Sequence, residues 1–204
     1  MSVQVSGTEG YAEEAAELLK RYESVPAAEA HCAVLHLMPA APSRVLDIGS
    51  GTGRDAAWFA AMGHRVIAIE PTDALRAGAM ALHPSPAIEW LNDSLPDLVV
   101  LRGRGETFDL VMLTAVWMHI DAEQRRRAMP NLAALTATGG TVIMKLRHGP
   151  VPPGRRMFEV SPEETIELAL PEGLDPVLNQ RAESSQAQNR AAGVTWTTLA
   201  LVKK

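Results

Sequence analysis

Three glycines at alternate positions, behind a short apolar run and ahead of a helix start, constrain this chain more than any other feature. In "RVLDIGSGTGRDAAWFA", residues 44–60, Gly49, Gly51 and Gly53 follow the run and open an alanine-rich segment. Glycine lets the backbone turn tightly and lets a ligand approach with no β-carbon in the way. A strand, a glycine loop and a helix in that order form a nucleotide-holding unit, with the ligand set against the helix N-terminus. Read from Gly51, "GTGRDA" fits the permissive dinucleotide pattern with alanine in last place, which alone is a weak signal.

Such a unit belongs to a parallel sheet, and the downstream pattern supplies one. "RVIAIE" (65–70) is a short apolar run suited to burial on both sheet faces. "AIEWL" (87–91), "FDLVMLTA" (108–115) and "GGTVIMKLR" (139–147) read as further strands. The spacing predicts a helix after the glycines, ended by Gly63, and others over 72–82 and 121–137, the last with Asp121 and Gln124 at capping-box spacing. "SPEETIEL" (161–168) starts a helix with serine at the cap, proline in the first turn and acids near the positive end. "PVLNQRAE" and "VTWTTLALV" read as closing strands, and residues 9–38 as helix interrupted at Pro26. Strand–helix alternation from 44 to about 147 predicts an α/β fold, a doubly wound, Rossmann-like and mostly parallel sheet with helices on both faces. Ligands of such sheets sit beyond the carboxyl ends of the strands, so residues just after strands one to five share one rim.

A chain of 204 residues suits one domain with a substantial core. It divides into an N-terminal helical lid (1–42), a cofactor-binding core (43–150) and a C-terminal portion of helix and strands (151–204). The net charge of −5 leaves no global basic field to draw nucleic acid or an anionic membrane. Cys32 is the sole cysteine, so neither an internal disulfide nor a cysteine-built metal site is expected, and Cys32 reads as a small core filler. No metal is expected. The first residues lack a signal-peptide pattern and no apolar run approaches the ~18–20 residues of a membrane span, so a cytoplasmic location is expected.

Side chains beside the loop choose the ligand. Asp47, two residues before the first glycine, would repel a bound pyrophosphate but favours a guest carrying an ammonium or sulfonium group. Its competing role is to accept hydrogen bonds from loop amides. Glu70, ending the second strand, can accept both hydroxyls of a ribose. Asp93, in "LNDSLPDL", stands where a carboxylate can accept an adenine amino proton, although Asn-Asp-Ser is also turn chemistry. A short-chain oxidoreductase needs tyrosine with lysine four positions on; Tyr11 is followed by Ala15 and Tyr22 by Pro26.

These residues together resemble the class I S-adenosylmethionine-dependent methyltransferases. "VLDIGSGTGRD" is similar to their first motif, "VIAIEP" with Glu70 to the second and "NDSLPDL" to the third. "FDLVMLTAVWMHI" resembles the fourth-strand motif, "GGTVIMKLR" the fifth strand with its glycine turn, and "LRHGP" a stretch found in bacterial members. The resemblance covers roughly residues 20–147. It implies a seven-stranded sheet with an antiparallel last strand and S-adenosyl-L-methionine as cofactor, with S-adenosyl-L-homocysteine as product. By the same analogy Asp47, Gly49, Gly51 and Gly53 line the methionine end, Glu70 holds ribose and Asp93 holds adenine. The implied cofactor set also takes in Ser50, Asp55, Pro71, Asn92, Ser94, Leu95, Thr114 and Ala115. Tyr22, in the lid, stands near the methionine carboxylate or the acceptor, or else packs between helices.

A sulfonium methyl is already activated, so the protein supplies placement and exclusion of water, and a base only where the acceptor must lose a proton. His119, just past the fourth strand, is a candidate base or acceptor-orienting group, against packing beside a helix cap. Arg147 can grip a carboxylate or phosphate of the substrate, or the cofactor's own carboxylate, with His148 assisting, against anchoring the loop "PVPPGRR". "TAVWMH" lacks the Asn/Asp-Pro-Pro-aromatic pattern of amino-methylating DNA enzymes. The basic runs "RGR" (102–104) and "RRR" (125–127) lack interleaved aromatics, and "RRR" is expected on the solvated side of its helix. The expected partner is a small-molecule acceptor methylated at oxygen or nitrogen; nucleic acid is not favoured. The alternatives are a non-catalytic cofactor-binding protein of the same fold and an RNA or protein methyltransferase.

Overall fold

The structure, a computed structural model, describes residues 5–204. Strands β1 (Arg44–Ile48), β2 (Arg65–Ile69), β3 (Ile88–Leu91), β4 (Phe108–Thr114), β5 (Thr136–His148), β6 (Leu174–Glu183) and β7 (Thr195–Lys203) form one sheet in the order β3-β2-β1-β4-β5-β7-β6. Neighbours are parallel from β3 through β5, while β7 runs antiparallel to both β5 and β6. The strand order reverses between β1 and β4, which is where a crevice opens in sheets of this kind.

The strands read as continuous apolar runs because both of their faces are covered. Leu46, Ile48, Ile67, Ile69, Val111 and Leu113 pack on one face, and Val45, Val66, Ala68, Leu110 and Met112 on the other. The helices are α1 (Ala15–Arg21), α2 (Ala27–Ala30), α3 (Arg54–Ala61), α4 (Asp73–Leu82), α5 (Val99–Arg102), α6 (Ala122–Leu135), α7 (Pro162–Ala169) and α8 (Ala187–Ala191). At the start of α6 the Asp121 carboxylate accepts from the Gln124 N–H at 2.8 Å, and the Gln124 side chain accepts from the Asp121 N–H at 2.9 Å. Ser161 caps α7 by a single bond, its hydroxyl oxygen accepting from the Glu164 N–H at 3.0 Å, with Pro162 at the first turn. Among the described residues no helix is long and apolar enough to cross a membrane.

Two expectations fail. The N-terminal helices over 9–38 shrink to α1, α2 and 3-10 turns at Tyr22–Ser24 and Cys32–Leu37. Side chains of the sheet edge take their backbone: Arg54 donates to the Tyr22 and Val25 carbonyls, and Lys145 to that of Ala30. The chain therefore follows the rim, and tertiary contact overrides helix propensity. Arg125 of the "RRR" run is 3% exposed; it donates to the Ile120 carbonyl at 2.7 Å and to the Glu164 carboxylate at 3.1 Å, tying α6 to α7. Arg126 and Arg127 are exposed. The short α5 and α8 lie in stretches to which the sequence pattern assigns no element.

Candidate active site

The carboxyl ends of β1, β2, β4 and β5 open into a cavity of about 990 Å³. Tyr11, Tyr22, Val25, Cys32 and Ala33 of the N-terminal segment form part of its wall. This segment comes close enough to the rim that a β-carbon on Gly7 would lie 2.8 Å from the His119 carbonyl oxygen.

The glycine loop has Gly49 at φ 68°, Gly51 at 56° and Gly53 at 82°, in the left-handed region that favours glycine. A β-carbon on Gly49 would strike Val116 and one on Gly53 would strike Trp90, whereas one on Gly51 would meet nothing within 4 Å. Gly51 thus offers bare backbone to the cavity. Gly53 is buried behind the wall, where it starts α3, and it does not line the cavity.

The acids around this loop differ in how fully they are used. Asp47 is 1% exposed and its Oδ2 has no partner among the described residues. Burial, with the nearby charges of Asp55 and Glu70 adding, pushes its carboxyl well above the usual carboxylate range. Ser50 Oγ is buried and unpartnered as well. Buried polar atoms are normally hydrogen-bonded, so this corner is built for a guest with donors. Glu70 accepts from the Gly51 N–H at 2.9 Å and the Thr72 N–H at 2.8 Å, which holds the loop to the end of β2. Its pKa is raised by burial, partly offset by hydrogen bonds from the Thr72 backbone and side chain and from the Gly51 backbone, and a carboxylate's four acceptor sites leave capacity beyond these three.

Asp55 lies at the cavity but is saturated. It takes the His31 Nε2–H at 2.8 Å, the Thr114 hydroxyl at 2.9 Å and the Arg54 Nε–H at 2.8 Å. Burial alone would raise its pKa, yet the His31 and Arg54 contacts hold it well below the ordinary range. Asp93 spends its oxygens on the Ser94 and Leu101 N–H groups, both at 2.9 Å, so the turn role is realised and stabilises α5. The side chain still borders the cavity with Ser94 and Leu95. Pro71, Thr114 and Ala115 also line it, Ala115 with a positive φ of 62°. Asn92 is exposed and lies outside it, because its neighbour Asp93 turns inward on the opposite side of the chain.

On the far side of the cavity His119 is 8% exposed, with both ring nitrogens engaged. Nδ1 lies 2.8 Å from the Arg156 carbonyl oxygen and is therefore the protonated nitrogen, and Nε2 accepts from the Tyr11 hydroxyl at 3.0 Å. Burial lowers the His119 pKa and keeps the ring neutral. Arg155 covers the Tyr11 ring, 4.2 Å from its centroid. Arg147 lines the cavity and donates to the Pro150 carbonyl at 2.8 Å. His148 does not line it. As the next residue on a strand it projects to the other sheet face, where it bonds Thr197 at 2.8 Å and borders a second cavity of about 710 Å³.

Sequence reasoning missed several residues of the cavity. Lys145 shares the Arg147 face of β5, and the two-residue period of a strand was signal enough to find it. Tyr11 meets His119 across 108 positions, which no local pattern announces. Cys32, expected in the core, is exposed and on the cavity wall, since the 3-10 turn that begins there rotates it away from the sheet.

Residues 45–140 match a family described as a methyltransferase domain. Uncharacterized methyltransferases of Mycobacterium bovis and Mycobacterium tuberculosis are 30% identical over 111 residues, 51% of this chain and 40% of theirs. The match thus spans less than half the length of those relatives. Among solved structures the chain is similar to Burkholderia thailandensis 1,6-didemethyltoxoflavin-N1-methyltransferase, bound to 1,6-didemethyltoxoflavin and S-adenosylhomocysteine (22% identity, TM-score 0.73, 95% of this chain and 85% of that one). It is also similar to the N-methyltransferase NodS of Bradyrhizobium japonicum with S-adenosylhomocysteine (18% identity, TM-score 0.70, 94% and 97%). A third is the magnesium protoporphyrin IX methyltransferase of Synechocystis with bound S-adenosylmethionine (14% identity, TM-score 0.67, 100% and 87%). At these identities the structural likeness is one of fold, and it agrees with the domain match and with the strand order above. Residues 45–140 thus match a methyltransferase-domain family, and the seven-stranded sheet around them has the Rossmann-like fold of the methyltransferases it resembles.

Proposed function

We propose that this protein binds S-adenosyl-L-methionine and transfers its methyl group to oxygen or nitrogen of a small molecule. The observation that carries the reading is the buried, partnerless Asp47 carboxyl oxygen beside the bare Gly51 backbone and Glu70 in one cavity. Asp47 and Ser50 fit an ammonium group, which would supply the donors they lack. Glu70 takes the ribose hydroxyls on its remaining acceptor capacity, and Ser94, Leu95 and Asp93 border the base. When bound, the cofactor supplies a methyl activated by positive sulfur, so the protein contributes placement and exclusion of water. Residues 5–42 act as the lid that excludes it.

Where the acceptor must lose a proton, the Tyr11–His119 pair receives it. Tyr11 faces the cavity, and His119 is neutral with its Nε2 lone pair on the Tyr11 hydroxyl. A proton taken up at the Tyr11 oxygen is matched by transfer of the tyrosine proton to Nε2. The similar Burkholderia and Synechocystis enzymes are named for a small heterocycle and a porphyrin, which supports a small acceptor here.

Calorimetric titration with S-adenosylmethionine and S-adenosylhomocysteine tests the reading. Saturable binding of both is expected, with none for NADH; no heat from either at millimolar concentration overturns it. Label passing from methyl-labelled donor into a metabolite extract is expected, and its absence would favour a cofactor-binding protein without transferase activity. Label entering purified RNA or protein instead would move the acceptor out of the small-molecule class.

A further inference from the structure

We infer that the methyl acceptor is a planar aromatic carboxylate, its carboxylate held between Lys145 and Arg147 and its ring laid against Trp196. The word acceptor rests on the methyltransferase reading above; the anion site itself does not.

Lys145 and Arg147 are two residues apart on β5, so they share a sheet face. Across the antiparallel ladder Lys145 pairs with Thr198 and Arg147 with Trp196, which puts the indole on that same face. Lys145 Nζ lies 6.0 Å from the centroid of the Trp196 ring, and all three side chains line the cavity. Two other cavity cations are neutralised: Arg54 meets Asp55 at 2.7 Å, and Arg155 meets Glu14 at 2.7 Å. Among the described residues Lys145 and Arg147 form no ion pair; their partners are main-chain carbonyls, Ala30 at 2.6 Å and Pro150 at 2.8 Å. Arg21, also without an ion pair, is exposed.

The cavity is thus electrically divided. Asp47, Glu70 and Asp93 stand at the ends of β1, β2 and β3, and the two cations without an ion pair stand at the end of β5, Lys145 within the field of Asp55, across the point where strand order reverses. Lys145 has three donors and Arg147 five, so after their carbonyl bonds both retain N–H groups for carboxylate oxygens. A half-buried cation without an ion-pair partner is unfavourable, and a bound anion reduces that penalty. A flat indole beside the cations adds an apolar face that fits a ring. A cationic guest is repelled here, which keeps the ammonium end of the cofactor on the acidic side.

The test uses protein saturated with S-adenosylhomocysteine and follows calorimetry together with tryptophan fluorescence. The probes are benzoate, 4-hydroxybenzoate and 2-aminobenzoate, with 4-hydroxybenzyl alcohol as the neutral analogue and cyclohexanecarboxylate as the non-aromatic one. At least one aromatic carboxylate is expected to bind, and both comparison compounds to bind about tenfold weaker or worse. Arg147→Gln and Lys145→Gln are each expected to weaken the carboxylate by about tenfold. The inference is overturned by equal binding of acid and alcohol, or of ring and cyclohexane. No binding by any of the carboxylates also overturns it. If both variants lose S-adenosylhomocysteine in place of the carboxylate, the cations serve the cofactor and the inference fails. Failure of wild-type protein to bind S-adenosylhomocysteine would strike the methyltransferase reading instead, and the same titrations on ligand-free protein would still decide the anion site.

Discussion

Asp47 and Asp55 border one cavity, yet their carboxyls are driven in opposite directions. Asp55 has three side-chain partners, and the bonds from His31 and Arg54 keep it ionised against burial. Asp47 keeps an unpartnered oxygen, so burial wins. Asp47→Asn removes the ionisable carboxyl at nearly constant shape. The expected outcome is unchanged or higher thermal stability with S-adenosylhomocysteine binding weaker by about 1.5–3 kcal/mol, the worth of a hydrogen bond to a charged group. Melting curves and calorimetry check both halves, and a folded variant with full affinity would remove Asp47 from the site. His119 makes a pH prediction. Burial depresses its folded pKa, so the unfolded chain takes up the proton first as pH falls past about 6.5. Its contribution to stability is therefore complete above that pH and is lost as pH falls through the depressed folded value. Asp47 and Glu70, raised by burial, act with the opposite sign, their contributions being lost as pH rises through their folded values; they are common to wild type and variant. His119→Gln is expected to flatten the fall in melting temperature between pH 7.5 and pH 5.5 relative to wild type, and parallel curves would refute it.

The elements that sequence reading placed well are those whose signals are local. The α6 capping box joins Asp121 to Gln124 within one turn, so spacing alone reveals it. Asp121→Ala is expected to lower stability by about 1 kcal/mol, measured by urea denaturation. Arg125 carries no such local signal. Its donors reach Ile120 and Glu164, the latter 39 positions away, and nothing in "RRR" distinguishes it from its exposed neighbours. Arg125→Met leaves the Ile120 carbonyl without its donor and unlinks α7, with an expected loss of about 2 kcal/mol. Arg126→Met, on the exposed side, is expected to change stability by no more than about 0.5 kcal/mol. Equal effects at the two positions would contradict the buried placement of Arg125.

At the scale of the whole molecule, the cavity joins the N-terminal segment to the sheet edge, so a ligand that fills it couples to global stability. S-adenosylhomocysteine at 100 times its dissociation constant is expected to add about 2.7 kcal/mol. For a chain of this size that corresponds to a rise in melting temperature of roughly 5–10 °C. Scanning calorimetry at several ligand concentrations checks it; a melting temperature independent of ligand would show that the folded state does not bind it.

The chain's own order of residues was enough for the parallel core and the loop that serves it. Continuous apolar runs, alternate glycines and an acid at the end of the second strand are short-range patterns, each enforced by backbone geometry within a few positions. It also marked which carboxylates stand on the rim. What it could not contain was how those carboxylates are used: Asp93 and Asp55 are consumed by the protein while Asp47 is left with an open oxygen. Nor could it foresee that Tyr11 and Trp196 enter the cavity. Those outcomes depend on hydrogen bonds and strand register linking residues tens of positions apart, and only the closed fold brings such groups within bonding distance.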